Sequence, residues 1–252
     1  MSQSESVIVC EGYFDRAFWH GLLMHHFKCT DQRKEGPWGR VPGGGVYGFT
    51  SPTGRALRIV PTNTRPRKGN SRNPVFQGGE LFLQERQTQP IEYMILNIDA
   101  DTESAEEDAA RDYSAQLLKL IQETVSEAVL WAEREVAFGD PVTCISLIPW
   151  HFPGEVSPPV PQKQTLERLV SVALGAVYPE RAKNVTSWLD SRVDSPKPSP
   201  KEVTWSYMAG WHAELGCEAF FKEIWRDSQV ADELIRILQG NGSWEIITRF
   251  TE

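Results

Sequence analysis

The 252-residue sequence has few cysteines and lacks any long run of apolar residues. Its four cysteines are widely scattered, without a Cys-x-x-Cys pair, so neither a disulfide framework nor a zinc knuckle is predicted. Charged residues interrupt every apolar stretch, so that each is much shorter than the ~20 residues that cross a bilayer. The first six residues are polar, unlike those of a signal peptide. We therefore expect a cytoplasmic protein without a membrane partner.

Acidic residues are absent from one long segment, residues 36–79. The segment carries seven basic residues, although the whole chain has 26 basic and 34 acidic residues and a net charge of −8. Four of the basic residues form a cluster in its second half: Arg65, Arg67, Lys68 and Arg72. Such a cluster is typical of a nucleic-acid contact, because cations neutralise backbone phosphates. The alternative is a solvated basic loop without a ligand.

Hydrophobic residues make up 40% of the chain and charged residues 24%, which is typical of a folded globular protein. Two short apolar segments, residues 6–10 and 91–98, predict buried strands, and the second is nearly continuous in apolar residues, as parallel strands are. The other elements predicted in this part are a helix capped by Asp15, two short strands, a long helix and a further strand: residues 16–27, 41–49, 56–60, 103–138 and 142–148. This alternation of strands and helices predicts the α/β class.

The remainder of the chain is predicted to be mainly helical after a loop rich in proline and glycine, residues 149–161. Three helices and a last strand are predicted there: residues 165–177, 204–215, 217–238 and 244–250. Four tryptophans have the spacing of helix core residues and are expected to be buried: Trp188, Trp205, Trp211 and Trp225.

Acidic side chains follow both of the predicted buried strands. Glu11 and Asp15 follow the first strand, and Asp99 and Asp101 follow the second. Open parallel sheets place their ligands at the carboxyl ends of strands. The two-residue spacing of the aspartates points both carboxylates the same way, and Mg²⁺ prefers oxygen ligands of this kind. The pattern predicts a divalent-metal site, and the alternative is that these acids are helix caps and solvated turns.

The residues around these acids resemble the Toprim family. Residues 7–22, VIVCEGYFDRAFWHGL, resemble the first Toprim motif, an apolar strand followed by Glu-Gly and then by an Asp that opens a helix. Residues 95–101, ILNIDAD, resemble the second motif, a strand that ends in Asp-x-Asp. The later order is similar to that of the OLD (overcoming lysogenisation defect) nucleases: Thr-Leu-Glu at residues 165–167 stands for Ser-x-Glu, and Lys197 or Lys201 for a lysine.

The resemblance implies a Toprim-like, Rossmann-like fold with a mostly parallel sheet and flanking helices. Residues 1–155 would form the catalytic core, and residues 156–252 a mainly helical part that contributes to the site. It also implies hydrolysis of phosphodiester bonds in DNA or RNA that depends on Mg²⁺ or Mn²⁺. The resemblance implies five metal ligands: Glu11, Asp15, Asp99, Asp101 and Glu167. It also implies that Lys201 stabilises the phosphate charge and that Glu11 acts as general base.

A second function is compatible with the same motifs. In it, the chain is a non-catalytic Toprim module that binds a nucleotide or nucleic acid as a subunit of a larger assembly. The sequence has no Gly-x-x-x-x-Gly-Lys-Ser/Thr phosphate loop, whereas OLD proteins carry an ATPase domain before the Toprim domain. The resemblance therefore implies a separately encoded partner ATPase, as in some anti-phage defence modules.

Overall fold

The computed structural model describes residues 5–32, 46–62, 75–76, 78–79, 83, 90–100, 107–125, 128–132, 134–139, 142–152, 154, 156, 159–192, 197–211 and 216–252. In this part of the chain, eight strands form one sheet with helices packed on both of its faces. The strands are β1 (Glu5–Cys10), β2 (Thr30–Asp31), β3 (Tyr47–Thr50), β4 (Ala56–Pro61), β5 (Ile91–Asp99), β6 (Val129–Ala132), β7 (Glu135–Phe138) and β8 (Thr143–Trp150).

The sheet is parallel at its centre and antiparallel at its two edges. Its strand order is β2-β3-β4-β1-β5-β8-β7-β6, and the parallel centre consists of β4, β1, β5 and β8. The predicted α/β class is therefore confirmed. The two strands that carry the acidic motifs are neighbours, as the shared site requires, with Ile8 of β1 opposite Ile95 of β5.

Both faces of the central strands are buried, because alternate side chains along a strand point to opposite faces. Ile8 and Cys10 of β1 lie in one hydrophobic cluster, and Val7 and Val9 lie in the other. This explains why the sequences of β1 and β5 are nearly continuous in apolar residues rather than alternating.

The described helices are α1 (Tyr13–Gly21), which continues into a π-helical turn (Leu22–His26), α2 (Glu107–Thr124), α3 (Leu166–Val177), α4 (Pro179–Asp190), α5 (Pro200–Trp211), α6 (Cys217–Glu223), a 3-10 turn (Ile224–Arg226), α7 (Ser228–Gly240) and α8 (Ser243–Thr251). The helical character predicted for the C-terminal part is confirmed. The proposed division at residue 155 stays a prediction, and one hydrophobic cluster contains residues from both sides of it, such as Ile8 and Leu169. Among the described helices, none is both long and apolar enough to span a bilayer.

The helix predicted over residues 103–138 is wrong in its second half. α2 ends at Thr124, and residues 129–138 contain the hairpin strands β6 and β7. β7 pairs with β8, with Val136 opposite Ile145. Pairing at the sheet edge therefore prevailed over the helical spacing of the apolar residues.

The strand predicted over residues 244–250 is also wrong, because this segment lies in α8. Ile246, Ile247 and Phe250 recur at helical spacing and are buried against the larger cluster. A short apolar run does not by itself distinguish a buried helix from a strand.

Three further helices of the C-terminal part differ from the predictions, and one of them, predicted over residues 204–215, begins at Pro200. Residues 179–190 form α4, which was not predicted, although Pro179 at its first position is a recognised start signal. The helix predicted over residues 217–238 is interrupted at Asp227. The Asp227 carboxylate accepts hydrogen bonds from the backbone N–H groups of Gln229 and Val230 at 3.0 and 3.2 Å and so caps α7.

The prediction that the C-terminal tryptophans are core residues is wrong for two of them. Trp225 is buried, as predicted, but Trp188 and Trp205 are exposed to 61% and 43%. The Trp211 side chain lies outside the described residues. The spacing of the tryptophans along the sequence did not reveal whether another element covers them.

Candidate metal centre

The candidate site begins where the two central strands end. Glu11 directly follows β1, and Asp99 is the last residue of β5. Because β1 and β5 are adjacent and parallel, both carboxylates lie at the same edge of the sheet. The backbone N–H of Asp99 donates a hydrogen bond to Oε1 of Glu11 at 3.2 Å, so the two residues are in direct contact.

Asp15 lies in the first turn of α1 rather than before the helix. The helix predicted to begin at residue 16 begins at Tyr13, and Gly12 occupies the cap position. The backbone N–H of Gly12 donates to Oδ2 of Asp15 at 3.0 Å, and the indole N–H of Trp150 donates to Oδ1 at 2.7 Å. Asp15 therefore caps the helix from within, and both of its carboxylate oxygens accept a hydrogen bond.

The start of α3 holds the Asp99 carboxylate. The backbone N–H of Leu166 donates to Oδ1 of Asp99 at 2.9 Å. Thr165 caps the same helix, because its hydroxyl accepts a hydrogen bond from the backbone N–H of Arg168 at 3.3 Å. Unpaired amide groups at a helix start favour a negative charge, so this contact stabilises Asp99 as a carboxylate.

A cavity of about 340 Å³ brings most of the predicted site residues together. Four carboxylate residues and one lysine line it: Glu11, Asp15, Asp99, Glu167 and Lys201. The Nζ atom of Lys201 lies 3.7 Å from Oε1 of Glu167, and the lysine side chain is 52% exposed. Of the two lysines that the sequence left open, Lys201 lines the cavity, whereas Lys197 lies exposed just before α5.

Five residues of the predicted site and nucleic-acid contact fall outside the described residues: Asp101, Arg65, Arg67, Lys68 and Arg72. Their assignments stay predictions.

Burial and mutual repulsion raise the pKa values of two acids in this cavity, Asp15 and Asp99. The pKa of Asp15 is raised from 3.8 to about 7, chiefly by burial and also by the charges of Glu11 and Glu167, against the opposing hydrogen bonds from Trp150 and Gly12. Burial likewise raises the pKa of Asp99 well above its usual range, helped by the charges of Asp15, Glu11 and Glu167. A cation among these carboxylates would relieve both effects.

The donor set fits a hard divalent cation, because Mg²⁺ and Mn²⁺ bind oxygen ligands and the cavity offers carboxylates. Among the described residues, however, no group of three or more acidic, histidine or cysteine side chains is already arranged around a common point that could hold an ion. The ligand assignments therefore stay predictions, while the grouping of the acids in one cavity is a property of the structure.

Arg168 anchors the loop that follows β8. Its side chain is fully buried, and its guanidinium donates to the backbone carbonyls of Phe152, Gly154, Val160 and Pro161 at 3.3, 3.0, 2.6 and 2.8 Å. The loop, which the sequence predicted only as a long non-helical segment, is thereby tied to the helix that holds Asp99 and Glu167.

Two buried tryptophans hold polar groups beneath the cavity, and no sequence pattern signalled either role. Trp150 donates to Asp15, as described above. Trp19 donates to Oδ1 of Asn97 at 2.8 Å, and the Asn97 amide donates to the carbonyl of Ile148 at 3.0 Å. The only general signal is that a buried indole N–H needs an acceptor.

Comparison with known proteins identifies a shared fold but not a family. No family model and no curated protein matches this chain. Among solved structures, the chain is similar to the crystal structure of the hypothetical protein PH0156 from Pyrococcus horikoshii OT3. The TM-score is 0.68 at 16% sequence identity, over 99% of this chain and 100% of the other. At this identity the likeness shows a common α/β fold and nothing about function.

Proposed function

We propose that this protein hydrolyses phosphodiester bonds in DNA or RNA with the help of Mg²⁺ or Mn²⁺, as its resemblance to Toprim nucleases of the OLD type implies. The observation that supports the proposal is the grouping of four carboxylate residues in one cavity at the ends of adjacent parallel strands, beside a lysine. Parallel sheets bind ligands at this edge, and repelling carboxylates in a partly buried cavity suit a cation.

The proposed roles follow the positions of the side chains. Glu11 and Asp99 lie in contact at the strand ends and, with Asp101, are the proposed principal ligands. Asp15 and Glu167 line the same cavity and are proposed to extend the site to a second ion. A divalent cation held there supplies a Lewis acid for the phosphoryl oxygens and makes water a better nucleophile at neutral pH.

The chain's own residues then orient the substrate and move protons. Glu11 is proposed to accept the proton of the attacking water as general base, because it lines the cavity next to Asp99. The half-exposed Lys201 ammonium is proposed to hold the phosphate charge as it develops. The hydrogen bond from the Leu166 N–H holds the Asp99 carboxylate in one orientation throughout.

Hydrolysis is tested by incubating the protein with plasmid, single-stranded DNA, tRNA and total RNA, with Mn²⁺ or Mg²⁺ and separately with EDTA. We expect cleavage of at least one substrate with a divalent cation and none with EDTA. Retention of intact nucleic acid on a filter would support the non-catalytic binding module instead. If no nucleic acid is either cleaved or retained, both functions are contradicted.

The basic cluster is the proposed track for the nucleic-acid backbone: Arg65, Arg67, Lys68 and Arg72. Binding through phosphate contacts weakens as salt concentration rises. We expect charge reversal of Arg65, Arg67 and Lys68 to abolish retention while Mn²⁺ binding remains. If retention survives the triple change at ~0.1 M salt, where exposed charges act over about 10 Å, the cluster is not the track.

A separately encoded ATPase is the proposed protein partner, in a cytoplasmic, defence-related assembly. This rests on analogy with OLD systems, since the sequence has no phosphate loop of its own. Co-purification of the chain with a separately encoded ATPase, and cleavage that responds to ATP only in the complex, is the expected result. A cleavage rate that does not change when the ATPase and ATP are added would contradict the proposed partnership.

A further inference from the structure

A second cavity, of about 620 Å³, lies between α4 and α5. We call it the tryptophan pocket, because Trp188 of α4 and Trp205 of α5 line it along with residues such as Arg181, Asn184 and Arg192. Only four large apolar side chains are exposed in the described part of the chain, and these two tryptophans are half of them. Their presence in one cavity makes it unlike the rest of the surface.

Two exposed indoles in one cavity provide flat apolar surface that water solvates poorly. A tryptophan that is fully buried removes about 150–250 Å² from water, so a ligand that covers the exposed parts of Trp188 and Trp205 gains apolar contact. Nucleic-acid bases are flat and have an aromatic face, and they stack on such side chains whatever their sequence. The shape and chemistry of the pocket therefore suit a base.

Two arginines and one glutamate are the charged residues that line the pocket. Nη1 of Arg192 donates to Oε1 of Glu202 at 2.9 Å, so these two charges offset each other. Arg181 adds a further cation, although the chain as a whole has a net charge of −8. Asn184 adds an amide that both donates and accepts. With the apolar Val185, Leu189 and Ala209 that also line the pocket, this set suits a ligand that has both a flat apolar face and an anionic part.

The tryptophan pocket and the carboxylate cavity flank the same helical turn. Lys201 lines the carboxylate cavity, and its neighbour Glu202 lines the tryptophan pocket. Both residues belong to the first turn of α5. Because a helix with its side chains is about 10–12 Å across, the tryptophan pocket and the carboxylate cavity are separated by a distance of that order. An extended strand of a few nucleotides is long enough to reach from one site to the other.

We propose that the tryptophan pocket binds an unpaired base of a single-stranded nucleic acid whose backbone passes the carboxylate cavity. The inference rests on the proposed function in that it takes nucleic acid as the substrate class. It adds that the substrate is single-stranded near the bond that is cleaved, because bases in a duplex are already stacked and cannot enter the pocket.

The test measures binding without cleavage. End-labelled single-stranded oligonucleotides, and the same sequences as blunt duplexes, are titrated with the full chain in EDTA and followed by fluorescence anisotropy. We expect tighter binding of the single strands. Trp188→Ala and Trp205→Ala should each weaken that binding by about 5- to 100-fold, as expected for loss of a stacked base, with little effect on the duplex.

Conservative variants and a matched control make the result specific. Trp188→Phe and Trp205→Phe keep an aromatic face and should retain most of the affinity. Val129→Ala removes another exposed apolar side chain, on the edge strand β6, and should leave affinity unchanged. Single-strand affinity that is unchanged in both alanine variants overturns the proposal and favours a protein ligand for the pocket.

Cleavage by the wild-type protein with Mn²⁺ is measured in parallel, so that the two proposals fail separately. Cleavage with no effect of the tryptophan variants on single-strand binding would overturn this inference and leave the proposed function standing. Single-strand binding that depends on the tryptophans, with no cleavage of any substrate, would support the inference and contradict the nuclease. Absence of both binding and cleavage would overturn both.

Discussion

The carboxylate cavity and the tryptophan pocket depart from ordinary protein surfaces in opposite directions. In the first, Asp15 and Glu167 are buried acids that most proteins would leave in water. In the second, Trp188 and Trp205 are large apolar side chains that most proteins would bury. The two cavities are separated on α5 by a single helical turn, at Lys201 and Glu202.

The two regions differ in how they are held. Every carboxylate oxygen of Asp15 accepts a hydrogen bond, and Oδ1 of Asp99 accepts one from the start of α3, so the acids are fixed before any ligand arrives. The tryptophans lie on the open surfaces of two helices. Fixed charged groups suit chemistry that requires defined geometry, whereas open aromatic surfaces suit ligands that differ in sequence.

The largest effect is expected from removing the charge of Asp99. Asp99→Asn keeps the acceptor for the Leu166 N–H but loses the anion, so Mn²⁺ affinity and hydrolysis should both fall by more than about 100-fold, beyond the 10–100-fold typical of outer-shell changes. Calorimetric titration with Mn²⁺ and the cleavage assay measure the two effects. Asp232→Asn, an exposed acid on α7, is the matched control. Equal Mn²⁺ affinity in Asp99→Asn and wild type would falsify the ligand assignment.

Arg168 is a buried charged residue that we expect to contribute to stability rather than to metal binding. Arg168→Leu leaves four backbone carbonyls of the loop after β8 without their donor and should lower the free energy of unfolding by more than about 3 kcal/mol. Urea denaturation measures the change. Arg236→Leu, which breaks an exposed ion pair with Glu233, should lower it by less than about 1 kcal/mol. Similar losses in the two variants would show that the loop is not anchored as described.

The acids of the carboxylate cavity should make the metal-free protein less stable as pH rises. Asp15 has its pKa raised from 3.8 to about 7 by burial, so between these values the folded state keeps a proton that the unfolded state has released. The folded state binds more protons there, and stability falls with increasing pH. Histidines with lowered pKa values, such as His151, act in the opposite direction below about pH 6.5, so the effect of Asp15 is measured as a difference. We expect the Tm of wild type in EDTA, minus that of Asp15→Asn, to decrease from about pH 5 to about pH 8. A difference that stays constant or increases over this range would contradict the raised pKa of Asp15.

Trp150 should act on metal binding through Asp15. Trp150→Phe keeps an aromatic ring beside Phe18 but removes the donor to Oδ1 of Asp15, which raises the pKa of Asp15 further. We expect Mn²⁺ affinity to fall by about 10-fold. Trp19→Phe is the matched control, since it removes a buried indole donor to Asn97 instead and should leave Mn²⁺ affinity unchanged. Equal losses in the two variants would mean that the effect is general destabilisation.

The smallest effect on stability is expected at Lys201. Its ammonium lies 3.7 Å from Glu167 and is half exposed, so Lys201→Met should change the free energy of unfolding by less than about 0.5 kcal/mol. The cleavage rate should nevertheless fall, because the cation proposed to hold the phosphate charge is lost. Lys197→Met, four residues earlier and exposed, should leave the rate unchanged. If Lys197→Met lowers the cleavage rate and Lys201→Met does not, the site lysine is Lys197.

Much of the central fold was predictable because its signals are local. The apolar runs at residues 6–10 and 91–98 identified β1 and β5, and their two-sided burial follows from continuous apolar composition. The edges were less predictable. The β6–β7 hairpin and α8 each depend on what they pack against, and short apolar segments fit either a strand or a helix until that partner is known.

The sequence by itself determined that Glu11 and Asp99 each follow a buried strand, and the resemblance to the Toprim motifs implied that the two strands are neighbours, as the structure shows. Only the tertiary structure decided how they are held. The contact between Trp150 and Asp15 joins residues 135 positions apart, and that between Leu166 and Asp99 joins residues 67 positions apart. Tertiary packing also decided that Trp188 and Trp205 remain uncovered, because exposure depends on which surfaces other elements reach, and spacing along one helix carries no information about that.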